Sequence, residues 1–101
     1  MNNEGPEIEA ARKGADPDRL MDGEDPDAQT LDAVLKWWTT YGELEKLETA
    51  LLDLLAVRAA SMSEEVRREV AETNVPVLLS QLERFRFRHA YWRQRAQELG
   101  A

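Results

Sequence analysis

The chain has 101 residues, 20 acidic against 13 basic side chains for a formal net charge of −7, and no cysteine. That length holds one domain and a modest core, and the missing cysteines exclude disulfides and thiolate metal sites. No apolar run approaches the roughly 18 residues of a membrane span, and the acidic balance repels nucleic acid except where basic side chains cluster.

The charge is unevenly placed. Residues 1–27 carry a net of −6, residues 28–75 a net of −4 and residues 76–101 a net of +3. The opening "MNNEGPEIEA" is polar and acidic, unlike a secretory or mitochondrial targeting segment. These features lead us to expect a soluble cytoplasmic protein.

Residues 1–24 hold few large apolar side chains and recurrent Gly, Pro and Asp. Such a stretch cannot bury enough apolar area to offset its chain entropy, so a disordered acidic arm is expected. "DPD" occurs at Asp16–Asp18 and again at Asp25–Asp27. The second reads as a helix start, with Asp25 as cap and Pro26 in the first turn. An EF-hand loop is not expected, because the third position after Asp18 does not give the alternating oxygen ligands that such a loop needs around its central glycine.

The first helix is predicted over about 26–60, with Gly42 its weak point. Its apolar stripe runs Trp37, Tyr41, Leu44, Leu47, Leu51, Leu54 and Leu55, in steps typical of a helix. "LLDLLAVRAA" is apolar nearly all round, which calls for cover on more than one side. "LETALLDLLAVRA" is similar to the first helix of helical chorismate mutases, with Arg58 at that family's active-site arginine. Tyr41 stands where the family has another arginine, and no site residue is carried over.

A second helix is predicted over 63–73, capped by Ser61 or Ser63. Asn74 and Pro76 then suggest a break before a third helix over 75–99, ended by Gly100. The rival geometry is one kinked helix from Ser63 to Leu99.

"RFRFRHAYWRQR", Arg84 to Arg95, contains five arginines, four aromatic rings and the only histidine. Its alternation briefly resembles a strand, but the flanks are helix formers. Val75, Leu78, Leu82, Phe85, His89, Trp92, Ala96 and Leu99 form a heptad seam, which assigns Phe85 and Trp92 to the core. His89 reads as a hydrogen-bonded core histidine, with a pH-sensitive register element as the sharper reading. Arg84, Phe87, Arg88, Tyr91 and Arg95 are left as a second face. It either packs under the first helix or binds a partner through arginine and tyrosine. Glu43, Glu45, Glu48 and Asp53 oppose the arginines in sign, and the acidic arm could screen them.

No phosphate loop, dinucleotide fingerprint, zinc-protease motif or nucleophile elbow is present. Neither a metal site nor a cofactor is expected. The expectation is an all-α domain over residues 25–101, a helical hairpin or three-helix bundle, dimeric because its long apolar helix needs cover. The expected function is that of a non-enzymatic regulator or adaptor that binds a protein partner through helix faces. The alternative is a modulator of a nucleic-acid machine, with arginines on phosphates or the arm as a phosphate mimic.

Overall fold

The computed structural model describes residue 16 and residues 18–101, and two long helices account for the architecture of these described residues. Helix α1 spans Leu31–Ala59 and helix α2 spans Glu64–Glu98. At 1.5 Å per residue they are about 43 and 52 Å long. They fold back on each other as an antiparallel hairpin, and no strand occurs among the described residues. Most of the expected arm, residues 1–15 and 17, lies outside the described residues.

The start of α1 differs from expectation. Thr30, not Asp25, is the cap, and its hydroxyl accepts from the Ala33 amide at 3.3 Å. Asp25 instead closes a local turn. Its carboxylate accepts from the Asp27 amide at 2.9 Å and its carbonyl from the Ala28 amide at 3.1 Å. The first acidic pair does the same, with Asp18 and Arg19 amides donating to Asp16. An aspartate that bonds the amide two positions on competes with a helix start, and here the turn wins.

The two C-terminal helices expected from Pro76 are one. Pro76 sits inside α2, and Ser63 caps the whole element by accepting from the Val66 amide at 3.2 Å. An internal proline removes a backbone hydrogen bond and costs about 3 kcal/mol. Val75, Pro76, Val77 and Leu78 are half-buried, and their packing works against that cost. Arg67 secures the intervening loop, donating to the carbonyls of Ala59 and Met62 at 3.1 Å each. Gly100 follows the last turn, where its amide reaches the Gln97 carbonyl at 3.1 Å.

Among the described residues the core is confined to the open end of the hairpin, where α2 ends. Val34, Trp37 and Tyr41 of α1 meet Phe85, Trp92 and Ala96 of α2, and Leu82 is also buried. Tyr41 packs tilted against both Trp37 and Phe85, with centroids 6.3 and 6.2 Å away. Leu44, Leu55, Leu78 and Leu99 are half-buried. From residue 49 to residue 81 no side chain is buried. Leu47, Leu51 and Leu54, expected in the core, are exposed in the single chain. The loop half of the hairpin is two helices thick, and two helices can each shield only one face of the other.

Candidate functional site

The segment before α1 lies across the arginine-rich face of α2 and is fastened there by one side chain. Residues Met21 to Glu24 make a tight turn in which the Glu24 amide donates to the Met21 carbonyl at 3.0 Å. Gly23 occupies the third position with φ +81°, a conformation that disfavours any other residue. The turn aims Glu24 inward, and its side chain is fully buried.

Five donors converge on that carboxylate. Oε1 accepts from the Met21 amide at 3.0 Å and from the Tyr41 hydroxyl. Oε2 accepts from Arg88 Nη2 at 2.7 Å, Arg88 Nε at 3.2 Å and Trp92 Nε1 at 2.8 Å. Burial alone would raise the carboxyl pKa. The hydrogen bonds from Tyr41, Met21, Arg88 and Trp92 outweigh it, so Glu24 lies below its ordinary value. Burial next to this anion pushes the Tyr41 hydroxyl well above its ordinary value.

Further contacts extend the clamp along α2. The Tyr91 hydroxyl donates to the Pro26 carbonyl at 2.6 Å, and Arg95 Nη2 donates to the Ala28 carbonyl at 2.9 Å. The Arg88 guanidinium stacks over Tyr91, 4.5 Å from the ring centroid. Of the face read as a partner surface, Arg88, Tyr91 and Arg95 are therefore engaged within the chain. Arg84 is buried beside Phe85, and only Phe87 is exposed.

A second polar cluster joins the helices on the far side of the seam. His89 Nδ1 lies 2.9 Å from Glu45 Oε2, and Arg86 Nε lies 3.4 Å from Glu45 Oε1. Gly42 admits the imidazole, since a β-carbon there would sit 3.1 Å from His89 Nε2. An open groove of about 880 Å³ runs beside this pair, walled by Leu35, Trp38 and Lys46. Among the described residues no group of three or more His, Cys, Asp or Glu could hold a metal ion.

Glu48 and Arg84 face each other electrostatically between the helices. Burial raises the Glu48 pKa and the positive charge of Arg84 only partly opposes it. Glu48 Oε2 and Arg84 Nε are both buried without a hydrogen-bond partner. An unsatisfied buried pair is a weak point of the fold.

Toward the loop, α1 exposes a run of large apolar side chains between charged ones. Leu47, Leu51 and Leu54 are 57, 38 and 44 % exposed, and Val57 is 73 % exposed. Leu47, Leu51 and Leu54 follow steps of four and three, which makes a continuous stripe on one helix face. Val66 and Leu79 add exposed apolar area on α2. The sequence marked these α1 leucines by periodicity. The clamp residue Glu24 was missed, although an acidic segment facing an arginine-rich helix was a signal for it.

No described helix is long and apolar enough to cross a membrane. Neither protein-family models, curated proteins nor solved structures match the chain.

Proposed function

We propose that this chain is a non-enzymatic interaction protein of the cytoplasm that binds a protein partner through the loop half of its hairpin. The carrying observation is the exposed stripe Leu47, Leu51 and Leu54 on a half-hairpin without a buried side chain. Contiguous apolar surface of this kind favours association. The partner chemistry that fits is an amphipathic helix, whose apolar face would lie along the stripe.

The reading of the arginine face as a phosphate-binding surface has less support. Arg88 is bound to Glu24, and Arg95 to Ala28 and Glu98. That face serves to hold the open end together, which leaves the loop end to make contacts. The cluster of His89, Glu45 and Arg86 ties α2 to α1, so we assign it to helix register.

A photo-crosslinking residue placed at Leu51 tests this reading in the native host. The reading expects a discrete protein adduct from Leu51 and none from an exposed α2 control at Arg93, in the open half of the hairpin. If stripe positions yield no adduct with any protein, including the chain itself, the reading is wrong.

A further inference from the structure

We infer that the occupant of the stripe is a second copy of this chain, docked antiparallel along α1 about a two-fold axis between Ala50 and Leu51. This rests on the reading that the stripe is an interaction surface and names its partner.

The stripe is self-complementary. Glu43, Leu47, Leu51, Leu54 and Arg58 follow one another in steps of four, four, three and four, so they share a face of α1. The apolar centre thus has an acid at one end and a base at the other, about 22 Å apart at the helical rise. Glu43 and Arg58 are both exposed. Antiparallel pairing about the midpoint sets Glu43 against Arg58 of the other copy, twice, and Leu47 against Leu54, twice. Parallel pairing would instead oppose Glu43 to Glu43 and Arg58 to Arg58.

The centre agrees with that geometry. Ala50, exposed beside Leu51, is small enough at the axis to let two helices approach closely. A surface that complements itself under a two-fold rotation is what an isologous dimer requires. Four helices would then enclose the leucines that two leave uncovered.

Charge exchange with sedimentation equilibrium tests this directly. The full chain should run at twice 11.6 kDa. Glu43→Arg alone and Arg58→Glu alone should each weaken self-association about tenfold, because two exposed pairs become repulsive. The double exchange restores the pairing and should return affinity to near the original. Leu51→Cys, in a chain without cysteine, should give a disulfide-linked dimer on oxidation, and Phe87→Cys should not. A single-chain mass at all concentrations, or a dimer indifferent to the exchanges, would overturn the inference. A single-chain mass together with a Leu51 adduct to a different protein would overturn it and leave the interaction reading standing.

Discussion

The indole nitrogen of Trp92 donates a 2.8 Å hydrogen bond to the carboxylate of Glu24 across 68 positions of sequence. Both side chains are buried, and the same carboxylate oxygen also receives Arg88. This contact closes the open end of the hairpin and makes the preceding segment part of the fold. The open end is therefore tied together by polar contacts within the chain, while the loop end is not covered.

Replacing Glu24 should destabilise the chain in a pH-dependent way. Its carboxyl is held below the ordinary value, so its contribution is present above about 4.5, the ordinary value, and is lost as pH falls through the depressed one. Glu24→Gln should lower unfolding stability near neutral pH by about 3 kcal/mol, since Arg88 is left buried with a neutral partner. It should also flatten the acid limb of stability against pH. Urea unfolding followed by circular dichroism from pH 3 to 7 measures both. Equal acid limbs for the two proteins would remove Glu24 from the clamp.

The Glu48–Arg84 pair should be dispensable as a pair and not singly. Arg84→Met leaves a buried carboxylate whose pKa is already raised, and should cost about 3 kcal/mol. Glu48→Leu with Arg84→Met replaces both unsatisfied groups with apolar volume, and should match or exceed the original stability. Thermal unfolding of the single and double variants decides this. A double variant as unstable as the single would show that the charges are needed where they stand.

Gly42 should be limited by His89 and not by its helix. Glycine inside a helix costs about 1 kcal/mol relative to alanine. In a His89→Ala background, Gly42→Ala should recover that amount, because the ring 3.1 Å from the added carbon is gone. In the original chain the gain should be smaller, since the imidazole must give way and its contact with Glu45 loosens. Equal gains in both backgrounds would mean that the ring does not constrain this position.

Much of the fold could be read from residue spacing. The steps of three and four through Leu82, Phe85, His89, Trp92 and Ala96 mark the inner face of α2, and all but the half-buried His89 are buried. Pro76 misled, because a local penalty of a few kcal/mol is smaller than the packing of the turns on either side. Asp25 misled for the opposite reason, since an aspartate turn is local and the competing helix cap lay five residues on, at Thr30. The leucine stripe shows what periodicity alone leaves open. Leu47 and Tyr41 belong to one helical pattern, yet only Tyr41 meets a buried surface. Spacing identifies an apolar face without saying which chain covers it. Glu24 was not legible as a core residue because a carboxylate is buried only when distant donors converge on it, and those donors stand on two different helices.

The mass of the chain in solution tests the account most directly. Sedimentation equilibrium should give a dimer of the 11.6 kDa chain that Leu51→Gln dissociates while far-ultraviolet circular dichroism stays helical. A single-chain mass across the concentration range, or a dimer that survives Leu51→Gln unchanged, would contradict the claim that this stripe is the interface.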